Sequence, residues 1–449
     1  MVSQVFPGPG FSRVMDTIFA LSSGSLPSGV AVIRISGSRT RFVVETFCRE
    51  VPKPRRASLR KLWSSSGMLM DEGLVLWFPG PKSFTGEDCC EFQVHGGRAV
   101  VSALLEELSA FDGLRLAEPG EFSRRAFENG RLDLTEIEGL SDLIQAQTET
   151  QRRQALAQAS GGLRKQLEEW RSRLVRMRAL LEADFDFADE EDVPGSVADG
   201  VWEDARKLAR ELGAALDDSR RGEIIRDGYQ IVILGPPNAG KSSLINALAR
   251  RDIAIVTPEE GTTRDLLEVQ LDIDGFAVTV VDTAGLRETD GIVEREGIRR
   301  ARERASMADL VVYLEPVEGM MAGIDTDLQG FANVKVLRFK SKDDAGLSGD
   351  NGISVNRENG LEPLLNSIIA SLAEIGDLAV PAVVTRERHR VAIAKCRDYC
   401  VKAADAQKLG SELRSEMLRL ACDEIGKVTG RVDVDDLLDV IFSEFCIGK

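Results

Sequence analysis

The sequence predicts a multidomain α+β and α/β chain: an N-terminal α+β domain, a helical domain, and an inserted phosphate-binding domain with a mostly parallel sheet. Three observations carry this prediction. Residues 16 to about 113 alternate short β-rich runs, such as Gly29-Val-Ala-Val-Ile-Arg-Ile35 and Gly73-Leu-Val-Leu-Trp-Phe78, with Gly and Pro turns. Residues 135–183 and 386–426 are proline-free and rich in helix formers. Between these flanks a β-rich run leads through a Gly-Lys-Ser loop into a helical pattern.

Length and charge narrow the reading. At about 100 to 200 residues per domain, 449 residues predict two to four domains, and 43% hydrophobic residues are enough to build globular cores. With 57 Lys plus Arg against 73 Asp plus Glu the net charge is -16. Such a chain cannot coat nucleic acid through a general basic surface, so an RNA contact needs a local patch or a partner. No basic segment followed by an apolar one opens the chain, and no run approaches about eighteen apolar residues, so a cytoplasmic protein without a membrane span is expected. The cysteines (Cys48, Cys89, Cys90, Cys396, Cys400, Cys422 and Cys446) are dispersed without CxxC spacing and read as reduced thiols.

The helical flanks leave one question open. Gly161-Gly162 interrupts the first flank, and an acidic stretch at 184–192 ends in Val193-Pro-Gly195 before helical composition resumes to Leu216. Helices with apolar stripes need partners. The two flanks therefore form either one helical domain with an insertion or two separate bundles. The boundaries drawn are 1–118 for the first domain, 119–221 and 381–449 for the helical parts, and 222–380 for the insertion.

The insertion carries the chemistry. Tyr229-Gln-Ile-Val-Ile-Leu234 runs into Gly235-Pro-Pro-Asn-Ala-Gly-Lys-Ser242 and then Ser243-Leu-Ile-Asn-Ala-Leu248. In that context the backbone N–H groups around Asn238, Ala239 and Gly240 cradle phosphates at a helix N-terminus. Lys241 supplies a charge to the terminal phosphates, and Ser242 is suited to ligating Mg²⁺. A second strand, Phe276-Ala-Val-Thr-Val-Val281, leads into Asp282-Thr283-Ala284-Gly285, where the acid suits the Mg²⁺ shell and the glycine N–H a γ-phosphate. Between them Gly261-Thr262-Thr263-Arg-Asp265 follows Ile255-Val-Thr257-Pro258, and Thr263 is placed to meet Mg²⁺ only when a γ-phosphate is bound.

Base selectivity is read from the end of the insertion. After the strand-like run Val334-Lys-Val-Leu-Arg-Phe339 come Ser341-Lys342-Asp343-Asp344, aligned with the Asn-Lys-x-Asp guanine motif. A carboxylate at Asp344 accepts from the guanine ring N–H and amino group, a pair that adenine does not offer. Ser341 stands where Asn is usual and should cost on the order of 1 kcal/mol in nucleotide binding. Ser354-Val355-Asn356 occupies the place of a base-binding loop. After Asp-Thr-Ala-Gly, Leu286 replaces the water-positioning glutamine of Ras-like GTPases, so another group must orient the nucleophile. Asn238 offers a polar side chain beside the β-phosphate for a monovalent cation, and Glu288, Glu294 and Glu296 follow downstream.

These motifs, with Asp16-Thr-Ile18, Phe78-Pro-Gly-Pro-Lys-Ser-Phe-Thr-Gly-Glu-Asp88, His95-Gly-Gly97, Glu118-Pro-Gly-Glu-Phe-Ser-Arg-Arg-Ala-Phe127, Arg131-Leu-Asp-Leu134 and Phe445-Cys-Ile-Gly-Lys449, resemble the MnmE (TrmE) family of tRNA-modification GTPases along the whole chain. The resemblance implies an N-terminal folate-binding and dimerisation domain, a helical domain from both flanks and an inserted GTPase domain. It implies GTP hydrolysis with K⁺ in place of an arginine finger, in a homodimer whose G domains meet. With the flavoprotein partner MnmG, it also implies addition of a carboxymethylaminomethyl-type group at C5 of the wobble uridine of certain tRNAs.

Carried over residue by residue, the pattern puts K⁺ at Asn238 and the loop holding Thr257, Glu259 and Thr262, and Mg²⁺ at Ser242 and Thr263. The nucleotide would be bound by residues 238–243, Thr257, Thr262, Thr263, Asp282, Thr283, Ala284, Gly285 and the base loops at Ser341, Lys342, Asp344, Ser354, Val355 and Asn356. Glu294 would orient the attacking water. Arg34, Glu87, Arg131 and Lys449 would hold the one-carbon donor 5-formyl-tetrahydrofolate, with the Cys446 thiol near it as a candidate catalytic group. Ser341, Val355 and the acidic pair Glu259-Glu260 depart from the family pattern.

Two other readings compete. An Era-like ribosome-assembly GTPase shares the P-loop and Asp-Thr-Ala-Gly, but predicts a basic RNA-binding domain where residues 433–439 are acidic. A lipid-anchored switch would use Cys446-Ile-Gly-Lys449, whose glycine and terminal lysine fit a prenylation signal poorly.

Overall fold

The computed structural model describes residues 16–186, 197–236, 238–251, 253–255, 268–282, 308–317, 334–376, 384–405, 410–432, 438, 441, 442, 445 and 448. The chain divides into two compact units, residues 1–138 with 429–449, and residues 139–428.

The first unit is built on strands β1 (Thr17–Leu21), β2 (Ser28–Ser36), β3 (Ser58–Trp63), β4 (Leu69–Phe78), β5 (Cys89–Gly96) and β6 (Leu114–Leu116). Their order is β3-β4-β5-β2-β1-β6, antiparallel except where β6 runs parallel to β1. Alternation along β2 buries Ala31, Ile33 and Ile35, which share a core with Val43, Val44 and Phe47 of α1 (Thr40–Cys48) and Val101, Leu104 and Leu108 of α2 (Arg98–Ser109). Each Val, Leu, Ile or Phe among them contributes roughly 1.5–3 kcal/mol on full burial.

This unit extends beyond the composition change at 118/119. Helix α3 (Glu121–Glu128) buries Phe122 with Ile18, Ala20 and Ala117. The start of α4 (Leu134–Gln145) buries Leu134 and Ile137 with Leu438, Ile441, Phe442 and Phe445. The helix-forming composition of these stretches says nothing about which sheet or helix their apolar faces meet, so the boundary at 118 and the placing of 429–449 with the helical part follow composition and not packing.

In the second unit follow α5 (Glu149–Ala159), α6 (Gly162–Asp186), α7 (Val197–Asp217) and α8 (Ser219–Asp227), and after the insertion α11 (Glu387–Asp405) and α12 (Ser411–Thr429). On α6 the buried positions Leu163, Leu167, Trp170, Leu174, Met177 and Leu181 recur every three or four residues, the apolar stripe of a helix packed on others. They share one core with Val201, Ala205, Leu208 and Leu212 of α7, Ile393, Cys396 and Cys400 of α11, and Leu418, Cys422 and Ile425 of α12. The question left open by composition is thereby answered: both flanks build a single helical core.

The insertion comprises β7 (Tyr229–Leu234), α9 (Lys241–Ala249), β8 (Glu268–Ile273), β9 (Phe276–Asp282), β10 (Leu310–Pro316), β11 (Lys335–Ser341), β12 (Gly352–Ile353) and α10 (Glu362–Ala373). The sheet order is β12-β11-β10-β7-β9-β8, parallel throughout except for β8. Strand order reverses around β7, and ligands of open α/β sheets bind at the carboxyl ends beside such a reversal. Among the described residues no helix is long and apolar enough to cross a membrane, and the six described cysteines are free and buried.

Candidate nucleotide-binding site

The loop from β7 to α9 sits at that reversal. Gly235 has φ +148°, and a Cβ there would lie 2.5 Å from the Leu314 carbonyl of neighbouring β10, so glycine is required for the loop to leave the sheet. Asn238 is exposed at φ +64°, Ala239 is buried, and Gly240 takes φ +90° as the N-cap of α9 without any side-chain capping bond. The loop thus ends at the N-terminus of α9, the kind of position that receives a phosphate. Lys241 is buried, and its ammonium donates to the Gly235 and Pro236 carbonyls at 2.8 and 3.0 Å. Ser242 is half-buried and Ser243 exposed in the first turn of α9. Parallel pairing sets Asp282 beside Ile233, two residues before Gly235, so the end of β9 reaches the same rim as the phosphate loop.

The residues predicted to read the base converge on one rim as well. Ser341 ends β11 and pairs with Pro316 of β10 and Ile353 of β12. Lys342 is exposed with φ +60°. Asp343 is buried and accepts from the Leu347 and Ser348 N–H groups, both at 2.9 Å. These bonds, chiefly the one from Ser348, hold its carboxyl below the usual range and set the turn that presents the exposed Asp344.

Asp344 Oδ1 accepts from the buried Ser354 hydroxyl. Asp344 Oδ2 accepts from Asn356 Nδ2 at 3.3 Å, and the Asn356 N–H donates to Ser354 Oγ at 3.0 Å. The Ser354 and Asn356 bonds hold the Asp344 carboxyl below the usual range. A carboxylate has about four acceptor positions, so two remain for a ring N–H and an amino group. Val355 between them is exposed. The Ser341 hydroxyl is buried without a hydrogen-bond partner among the described residues, so the shorter side chain does not restore the contact an Asn would make there.

In the first unit, the described residues predicted for folate are Arg34 on β2, Glu87 in the loop before β5 and Arg131 between α3 and α4. Arg34 donates through Nε and Nη2 to Glu91 at 3.1 and 3.0 Å. Its guanidinium lies over the Phe84 and Phe122 rings at 5.2 and 5.7 Å, and its Nη1 meets the Gly448 carbonyl at 3.5 Å. That carbonyl also accepts from Ser22 at 2.8 Å, which brings the chain end to Arg34. Two residues along β2, on the same face, Ser36 donates to Glu87 at 2.7 Å. Arg125 donates to both Glu87 oxygens at 3.2 and 3.1 Å. Arg131 is exposed, and its Nε donates to the Ser83 carbonyl at 3.1 Å. Sequence reasoning had no role for Arg125, Ser36 or Asp343. The only signal for Arg125 was its place in Glu118-Pro-Gly-Glu-Phe-Ser-Arg-Arg-Ala-Phe127.

Glu294, Cys446, Lys449, Thr257, Glu259, Thr262, Thr263, Thr283, Ala284 and Gly285 lie outside the described residues, as does the Asp282 side chain.

Comparison with known proteins bears on both units. Residues 17–131 match the family model for the GTP-binding protein TrmE N-terminus, and residues 134–446 match that for the MnmE helical domain. A tRNA modification GTPase MnmE of Rhizobium meliloti (strain 1021) is 53% identical over 442 residues, covering 97% of this chain and 99% of that protein. One of Brucella canis is 52% identical over 439 residues, covering 97% and 98%. These relatives favour the tRNA-modification reading over the Era-like alternative. With both family models matched and half of all aligned residues shared end to end, the chain belongs to the MnmE family of tRNA modification GTPases.

Proposed function

We propose that the chain hydrolyses GTP as a K⁺-dependent homodimeric enzyme in the cytoplasm. It thereby drives, with the flavoprotein MnmG, addition of a carboxymethylaminomethyl-type group at C5 of the wobble uridine of certain tRNAs, with 5-formyl-tetrahydrofolate as one-carbon donor. The observation that carries the GTPase part is the preset Asp344 carboxylate, fixed by Ser354 and Asn356 at the rim shared with the phosphate loop of β7. It selects guanine by accepting from two donors, which adenine lacks on that edge.

The residues at the phosphate end suit the metals. Ser242 in the first turn of α9 and Asp282 at the end of adjacent β9 would hold Mg²⁺ with Thr263. The exposed Asn238 would contribute to a K⁺ site with Thr257, Glu259 and Thr262. Cations held there would supply neutralisation of the charge that develops on the phosphates. The chain's own part is to cradle the phosphates with the N–H groups of 238–243, to supply the Lys241 charge, and to orient water through Glu294. The folate reading is supported by the clustering of Arg34, Glu87, Arg131 and the chain end, where guanidinium groups suit folate carboxylates.

GTP turnover in KCl against NaCl at matched ionic strength tests the proposal, with ATP as the second substrate. Strong stimulation by K⁺ with GTP alone is expected, and Glu294→Ala should keep GTP binding while slowing hydrolysis. Equal rates in both salts would remove the cation from the mechanism, and equal use of ATP would remove Asp344 from base selection.

A further inference from the structure

A strongly basic segment stands out against the acidic chain. Residues 49–61 carry Arg49, Lys53, Arg55, Arg56, Arg60 and Lys61 against a single acid, Glu50. They form the turn after α1 and the strand β3, the outer edge of the first sheet. Arg60 is spoken for, with Glu50 at 3.7 Å. Across the strand pair, Lys61 stands opposite Glu72 in register, and Asp71 is taken by His95 at 2.8 Å. Among the described residues, Arg49, Lys53, Arg55, Arg56 and Lys61 are exposed and form no ion pair.

Two of these arginines are held in an unusual way. Arg49 and Arg55 have φ +61° and +60°, a left-handed backbone uncommon for a residue other than glycine. Arg49 lies over the Trp63 ring at 4.0 Å and Arg55 over the Phe78 ring at 5.8 Å. The Arg55 N–H also donates to the Trp77 carbonyl at 2.8 Å. Stacking uses a guanidinium's flat face and no N–H donor, so the edges of both groups stay available. Strained backbone held in place by its surroundings is a feature of ligand clamps.

The chemistry that fits is a nucleic acid backbone. Rigid guanidinium forks match phosphate oxygens in pairs, and the outer face of a stacked guanidinium accepts an unstacked base, as RNA recognition requires. A chain of net charge -16 repels a polyanion at long range, so docking needs a patch of this sign. We propose that this basic edge is where the chain docks the phosphate backbone of its tRNA substrate. The assignment rests on the tRNA-modification reading above.

The test is binding of labelled, unfractionated tRNA to the full-length protein across a salt series. It compares the wild type with Arg49→Ala/Arg55→Ala/Arg56→Ala and with Lys53→Ala/Arg56→Ala/Lys61→Ala, the second of which leaves both stacked arginines in place. Each variant is expected to bind at least tenfold more weakly. The slope of log K against log salt should shrink by about 2 to 3, at about 0.7–0.9 per lost phosphate contact. GTP turnover without tRNA should not change. Wild-type binding that neither variant weakens would overturn the surface and leave the tRNA reading standing. Failure of the wild type to bind tRNA at low salt would overturn both. Polyaspartate competing as well as tRNA, residue for residue, would reassign the surface to an acidic protein.

Discussion

Asp344 in the second unit and Glu87 in the first are the carboxylates proposed to meet guanine and folate, yet they are held in opposite ways. Asp344 is exposed and, among the described residues, its hydrogen-bond donors are neutral, the Ser354 hydroxyl and the Asn356 amide. Its charge is left for the ligand. Glu87 has 7% of its side chain exposed and meets the guanidinium of Arg125, itself 11% exposed, with Ser36 as a further donor. Its charge is largely spent within the protein. A carboxylate fixed by neutral groups serves recognition, whereas one fixed by a buried cation first serves the fold and shapes a pocket for what binds beside it.

The largest effect should separate these roles. Arg125→Ala leaves Glu87 buried without its cation, and breaking a buried pair from one side costs about 3–5 kcal/mol. Arg125 also touches Glu121 at 3.0 Å, which adds to the loss. Urea unfolding should show this drop with GTP binding unaffected, and Glu87→Gln in the same chain should recover part of it. A drop under about 1 kcal/mol would mean that solvent reaches the pair and that the contrast with Asp344 fails.

Next in size, Asp344→Asn should leave unfolding unchanged. Hydrogen bonds to a charged group contribute about 1.5–3 kcal/mol, so the KM for GTP should rise on the order of a hundredfold. Xanthosine triphosphate should improve, because an amide donates to the ring carbonyl that replaces the guanine amino group. An unchanged preference for GTP would show that the base is read elsewhere.

The two sites were also unequally legible in the sequence. Phosphate and guanine recognition use consecutive backbone groups, so their spacing is written locally from Gly235 to Ser242 and from Ser341 to Asp344. The Asp344 partners lie only 10 and 12 residues away. Glu87 is bound by residues 38 and 51 positions distant, contacts that no periodicity encodes. Arg34, Glu87 and Arg131 were legible only through family resemblance. The helix-forming composition of 135–183 announced helices, but it did not decide whether their partners lie more than two hundred residues later in α11 and α12.

A smaller effect tests how firmly Asp344 is preset. Asn356→Ala removes one of its two donors, a bond of about 1 kcal/mol, and should raise the KM for GTP about fivefold with kcat unchanged. Ser341→Asn in the same chain should offset it by supplying the missing side chain at the buried end of β11. A fall in kcat would place Asn356 in turnover and not in base recognition.

Acid titration gives the finest division between the two regions. Burial pushes the Glu121 carboxyl up, but Arg115 at 2.6 and 2.8 Å, the Glu118 N–H at 2.9 Å and Arg125 outweigh it and hold Glu121 below its ordinary value. Between the folded and unfolded pKa the unfolded chain binds more protons, so stability rises with pH there. The contribution of Glu121 is complete above the unfolded value near ~4.3 and is lost as pH falls through the folded one. Urea unfolding should therefore show no loss from this group between pH 7 and about 5, and a decline below about 4. Asp344 is also held below the usual range, but it is exposed, so its protonation should appear chiefly in GTP affinity and add little to the unfolding curve. If acid weakened GTP binding and the first unit in parallel, the separation of a recognising carboxylate from a structural one would not hold.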